Sequence, residues 1–167
     1  MRNGVGVLMG SYSDFPQVES VIITLREFGV PFEAKVASAH RTPEIVREWA
    51  TAAPERDLGV LIAAAGGAAH LAGVVAGFTI LPVIGLPIGG TALSGFDSLL
   101  SMVQMPAGIP VATVAVGGAI NAALLAVQIL AVGDDALAAK LRAHREKMRQ
   151  SVVDKDALLR QKLRLNH

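Results

Sequence analysis

The stretch LGVLIAAAGGAAHL, residues 58–71, decides the fold. Residues 58–64 are an unbroken apolar run without alternation, the pattern of a strand buried on both faces, as in a parallel sheet covered by helices. Gly66-Gly67 ends the run, and a helix of small residues is expected over about 68–76. The same unit recurs on either side. Residues 4–9 read as a first strand. A helix follows over about 15–28, with Val18, Val21, Ile22, Leu25 and Phe28 on one face, Asp14 as the expected N-cap, Pro16 in the first turn and Gly29 at the end. Residues 32–37 read as a second strand. Thr42-Pro43 then caps a helix through residue 53, with Ile45, Val46, Trp49 and Ala53 inward. Strand 82–86, a helix near 97–104, strand 110–116 and a helix over 119–132 complete five repeats. Strands alternating with helices imply an α/β fold, a three-layer doubly wound parallel sheet with right-handed crossovers, over residues 1–132.

Composition narrows the possibilities. Of 167 residues, 15 are Lys or Arg and 14 Asp or Glu, giving a net charge of +1, and cysteine is absent. The missing cysteines remove disulfides, thiolate metal sites and thiol nucleophiles. Near-neutral charge with only 4% aromatics lacks the basic face and stacking platforms of a nucleic-acid binder. Charge is very unevenly distributed: between residues 58 and 133 the only formally charged side chain is Asp97. A tract of this length cannot all be core, so it meets lipid or other protein. The stretches 73–93 and 107–133 are long enough to span a bilayer, but Pro82 and Pro87 interrupt the first, and Gly108, Pro110 and Gly117-Gly118 the second. Neither has flanking Lys or Arg that would fix a topology. A homo-oligomer burying apolar faces is the expected explanation, with no membrane association. Residues 133–167 read as a helical extension of one or two amphipathic helices. Leu137, Leu141, Met148 and Val152, then Leu158, Leu159 and Leu163, recur there at helical spacing, and the extension is expected to pack on its own or a neighbouring subunit. Residues 1–10 are too short for a signal h-region, so a cytoplasmic location is expected.

Ligands of doubly wound sheets sit beyond the carboxyl ends of the strands. After the first strand comes Gly10-Ser11-Tyr12-Ser13-Asp14: a glycine allowing close approach, two hydroxyls and a helix start, which together suit a phosphate. Asp14 would be repelled by that phosphate and fits either as an acceptor for ribose hydroxyls or merely as the helix cap. The loop matches neither a Walker nor a dinucleotide pattern. After the second strand comes Ser38-Ala39-His40-Arg41-Thr42-Pro43. Arg41 offers a forked cation for phosphate or carboxylate, and His40 a group that exchanges protons near neutral pH. After the third strand, the small residues of 63–69 leave bare backbone N–H groups for an anion or planar ring; His70 beside them is either a satisfied core histidine or a catalyst. The loop 89–95 (GGTALSG) is able to cover a ligand, 104–110 reads as a rigid turn, and Asn121 near the start of the fifth helix reads as a local hydrogen bonder. No His/Asp/Glu cluster has metal-ligand spacing, and G-x-S-x-G is absent.

The segments GSYSD, SAHRTP, AGGAAHL, SGFDSLLSMVQMPAGIPVATVAV and NAALLAVQIL, in this order over about residues 5–130, resemble the PurE family of N5-carboxyaminoimidazole ribonucleotide mutases of bacterial purine synthesis. The resemblance implies a flavodoxin-like fold, a homo-octamer, a ribonucleotide substrate, and no metal or organic cofactor. It further implies that Ser11, Ser13 and Asp14 hold the phosphoribosyl part, with Arg41 on its phosphate or carboxylate. His40 would transfer the proton, with His70 as a second catalytic residue; His70, Gly66, Gly67, Ser38 and Ala39 would form the pocket of the migrating carboxylate, and Leu71 would bind substrate. In a related subgroup, which carboxylates aminoimidazole ribonucleotide directly with free CO2, the position of Arg41 tends to be Lys; Arg41 with the GGAAH run falls on the mutase side. Ala72, where proline is common, and Gly77-Phe78, where Ala-Lys is common, depart from the family pattern. A non-catalytic binder of phosphorylated nucleosides on the same scaffold is the alternative of a different class.

Overall fold

The computed structural model describes residues 2–90 and 92–165, with the side chains of 164 and 165 excluded; Met1, Thr91, Asn166 and His167 lie outside the described residues. Hydrophobic alternation within each central strand divides the buried side chains between two faces. β1 (Gly4–Met9), β3 (Leu58–Ala65) and β4 (Val83–Pro87) send Val5, Val7, Val60, Ile62, Ile84 and Leu86 to one side. There they meet α1 (Phe15–Phe28) and α5 (Ala119–Ala131). The opposite faces, with Leu8, Leu61, Ala63 and Val83, pack against α2 (Pro43–Thr51), α3 (Leu71–Ala76) and α4 (Phe96–Val103). β2 (Phe32–Val36) and β5 (Ala112–Thr113) form the edges, and the order is β2-β1-β3-β4-β5, every pairing parallel. This is the flavodoxin-like arrangement. The chain leaves β1 outward to β2 and returns on the other side to β3, opening a crevice beyond the carboxyl ends of β1 and β3.

Small residues set how closely the layers approach. A Cβ on Gly6 would lie 2.7 Å from Leu61 Cδ2 and 2.8 Å from the Trp49 ring, so the bare backbone of β1 gives the indole of α2 its seat. α1 ends on Gly29 in the left-handed region, as expected, and Val18, Val21, Ile22, Leu25 and Phe28 are all buried.

Several expectations need correction. Asp14 does not cap α1 with its side chain; its carboxylate instead closes a capping box on a 3-10 turn over Tyr12–Asp14 that precedes the helix. Thr42 likewise makes no side-chain cap on α2, because its hydroxyl is engaged with the Ser38 backbone. Ile45 is exposed, while Val46, Trp49 and Ala53 are buried. α3 begins at Leu71 rather than near 68, since Gly67 sits at φ +62° and tight turns run from Gly67 to Ala69 and from Ala68 to His70. β5 spans two residues, not seven. The extension is a single helix, α6 (Asp135–Leu165), in which Leu137 is buried and Leu141 half-buried; Met148, Val152, Leu158, Leu159 and Leu163 are exposed. Among the described residues no helix is long and apolar enough to cross a membrane.

Candidate active site

The backbone continues its ladder past the strand ends and fixes where each loop departs. Gly10 N–H donates to the Ala64 carbonyl, Ala37 N–H to the Met9 carbonyl and Ile88 N–H to the Ala65 carbonyl, all at 2.9 Å. The loops following β1, β2, β3 and β4 therefore start from one rigid platform. They enclose a cleft of about 530 Å³ lined by residues of all four, a volume within the range of small-molecule sites.

The first loop is ordered by its own polar groups. Ser11 Oγ accepts from Ser13 N–H at 3.3 Å and from Ser13 Oγ at 2.8 Å, and Asp14 Oδ2 accepts from Ser11 N–H at 3.1 Å. Partial burial pushes the Asp14 carboxyl above the ordinary 3.8, against the opposing pull of its hydrogen bonds from Ser11 and Ser13. The second loop is tied in the same manner. Ser38 Oγ accepts from the N–H groups of His40 at 3.3 Å and Arg41 at 3.2 Å, and the Ser38 N–H donates to Thr42 Oγ1 at 2.9 Å. Arg41 Nη2 reaches back to the Gly10 carbonyl at 3.5 Å, so the cation stands between the first and second loops.

His40 Nε2 lies 2.9 Å from His70 Nδ1, the rings edge-on with centroids 5.0 Å apart. One of these nitrogens must carry the proton and the other accept it, so the pair shares a single hydrogen. Each ring keeps a second nitrogen.

Of the residues singled out in the sequence, Ser11, Ser13, Asp14, Ser38, Ala39, His40, Arg41, Gly66 and Leu71 line the cleft. Gly67 and His70 are not among its lining residues; His70 reaches the site through its bond to His40. Gly89 and Gly90, at the start of the expected covering loop, line the cleft, whereas Thr91 in that loop lies outside the described residues. Ala65 and Ala68, within the small-residue run 63–69, also line the cleft, and sequence reasoning missed Gln17 and Ile88. Gln17 had a legible signal: it sits in the first turn of α1, three residues past Asp14, at the end of the helix that faces the strand termini. Among the described residues no group of three or more His, Asp or Glu side chains is placed to hold a metal ion.

The sequence model of the family described as AIR carboxylase matches residues 4–151. The N5-carboxyaminoimidazole ribonucleotide mutase of Pyrococcus horikoshii is 54% identical over 151 residues, covering 90% of this chain and 85% of its own. That of Bacillus subtilis is 53% identical over 156 residues, covering 92% and 96%. Among solved structures, Treponema denticola PurE superposes with a TM-score of 0.83 at 30% identity, covering 92% of this chain and 96% of its own. The S38D form of Treponema denticola PurE2 gives 0.84, also at 30%, covering 94% and 98%. A match of this extent, on a chain whose cleft is built from the same loops that carry the motifs, has one consequence: the chain belongs to the AIR carboxylase family.

Proposed function

We propose that this chain isomerises N5-carboxyaminoimidazole ribonucleotide to 4-carboxy-5-aminoimidazole ribonucleotide, moving a carboxylate from the exocyclic nitrogen to ring carbon C4. The observation that carries the reading is the meeting of His40, Arg41, the Ser11–Ser13–Asp14 loop and the small-residue turn at Gly66 in one cleft, in a chain more than half identical to mutases of that name. The hydroxyls of Ser11 and Ser13 and the fork of Arg41 suit the phosphate. Asp14 suits the ribose hydroxyls, which donate to a carboxylate, whereas the phosphate would be repelled by it.

The N5–carboxylate bond breaks as N5 takes a proton from the His40 imidazolium, leaving aminoimidazole ribonucleotide, CO2 and a neutral imidazole. C4 then attacks the CO2 carbon, forming the C–C bond, and the C4 proton returns to the same imidazole. The proton count closes, so the ribonucleotide and this chain's own groups suffice for the net reaction. A histidine that gives and then regains a proton suits the two steps, and His70 holds its ring through the 2.9 Å bond as a positioning residue. The walls at Ala39, Ala65, Gly66 and Ala68 carry no bulky side chains, which leaves room for the small linear CO2 molecule between the two bond changes.

His40→Asn tests the assignment. It should lower turnover by roughly 10²–10⁴-fold while nucleotide binding stays within a few-fold. Surviving turnover would remove His40 from the chemistry, and a parent chain that binds the ribonucleotide without converting it would favour the non-catalytic binder.

The chain is further read as a cytoplasmic homo-octamer. Support comes from large apolar side chains of the nearly uncharged tract that this chain leaves in water, Ile80 fully and Leu93 and Phe96 by almost two-thirds. The exposed stripe of α6, residues 148–163, is read as packing on a neighbour.

A further inference from the structure

Gln17 bridges the backbone of Gly89 in both directions across 72 residues of sequence. Gly89 N–H donates to Gln17 Oε1 at 3.0 Å, and Gln17 Nε2 donates to the Gly89 carbonyl at 3.2 Å. Two bonds of opposite sense fix the amide, because exchanging its oxygen and nitrogen would set donor against donor. Gly89 directly follows Ile88, whose N–H extends the β3–β4 ladder to the Ala65 carbonyl. From the strand order, residues 38–41 close the cleft at the β2 end and residues 88–90 at the β4 end. At that second end the wall is backbone: Gly89 and Gly90 present no side chain, and Gly90 sits at φ +85°.

We propose that Gln17 is a positioning residue that holds the Gly89 backbone as the cleft wall at the β4 end, and that this wall keeps CO2 in the site between its release from N5 and its capture at C4. The inference rests on the isomerase reading above. CO2 is small and uncharged, so no ion pair retains it; only the closeness of the walls does. The nucleotide is held differently, by Ser11, Ser13, Asp14 and Arg41, none of which hydrogen-bonds to Gln17 in this structure. Loosening the Gly89 wall therefore lets CO2 escape without releasing the nucleotide's charged end. What escapes leaves aminoimidazole ribonucleotide behind, protonated on nitrogen and lacking the C4 carboxylate.

The test compares the parent chain with Gln17→Ala, Gln17→Met and Gln17→Glu in CO2-free buffer. Both 4-carboxylated product and free aminoimidazole ribonucleotide are quantified after subtraction of an enzyme-free control. Met fills the space without either hydrogen bond, and Glu keeps the acceptor for the Gly89 N–H. The Ala and Met variants should raise the ratio of free aminoimidazole ribonucleotide to product by about tenfold, with KM within about threefold of the parent and Glu intermediate. Parent-like partition in Gln17→Met with an unchanged melting temperature overturns the proposal, as does an effect confined to KM. If Ala fails to fold, Met and Glu decide. A parent that forms no 4-carboxylated product contradicts the isomerase reading itself, a result separate from an active parent whose variants partition identically.

Discussion

A single hydrogen joins His40 Nε2 to His70 Nδ1, and a single carboxylate organises the loop opposite them. Asp14 shows what such a site costs the fold. Burial raises its pKa in the folded chain above the unfolded value near 3.8. The folded state thus holds that proton more tightly, and stability falls as pH rises from the unfolded to the folded pKa; above the latter the ionised carboxylate remains a constant penalty. Asp14→Asn should therefore melt slightly higher than the parent at pH 7. The gain should shrink on acidification through the folded pKa and vanish below about 3.8, and ribonucleotide KM should rise. Thermal melts across pH check this; a gain that grows on acidification would contradict it. That His40 and Arg41 would line the cleft was legible because charged groups at strand ends have little packing rationale, whereas Asp14 read equally well as a helix cap. The role of Gln17 was not, since its partner is a backbone group 72 residues away.

At the scale of elements, β1 and α1 were legible to the residue, because a short apolar strand is followed by a helix with Pro16 in its first turn and Gly29 at its end. The start of α3 was not, because a run of Ala and Gly carries no periodicity, and backbone conformation at Gly67 decides where helix begins. The loop after β4 is fastened by another side chain, in the first turn of the helix expected near 97–104. Ser98 is fully buried, its Oγ 2.9 Å from the Ile88 carbonyl and 2.8 Å from that of Gly95, closing the neck of the segment between them. Ser98→Ala leaves those carbonyls without this donor and should destabilise the chain by about 1–3 kcal/mol in denaturant unfolding. A change below a few tenths would show that water or relaxation replaces the hydroxyl.

For the whole molecule, parallel order and two cores follow from strands apolar on both faces, and residues 58–64 carry that pattern in their composition alone. Which surfaces remain bare was legible only as a lack of charge over residues 58–133. Ile80, Leu93, Phe96 and Val132 now specify them, each well exposed in the single chain. If those faces and the α6 stripe meet other copies, native mass measurement should find eight chains, and a monomer at micromolar concentration would contradict the octamer. α6 was legible as a helix from its apolar spacing, but what covers it was not: in its described distal half Met148, Val152, Leu158, Leu159 and Leu163 are exposed in the single chain.

The central claim is an internal carboxylate shift, and isotope retention tests it most directly. N5-carboxyaminoimidazole ribonucleotide carrying a ¹³C carboxylate is converted without ATP in buffer holding unlabelled bicarbonate. The account predicts 4-carboxy-5-aminoimidazole ribonucleotide that keeps the label. Product formed only when CO2 or bicarbonate is added, with the label lost, would make the chain a direct carboxylase and contradict the account.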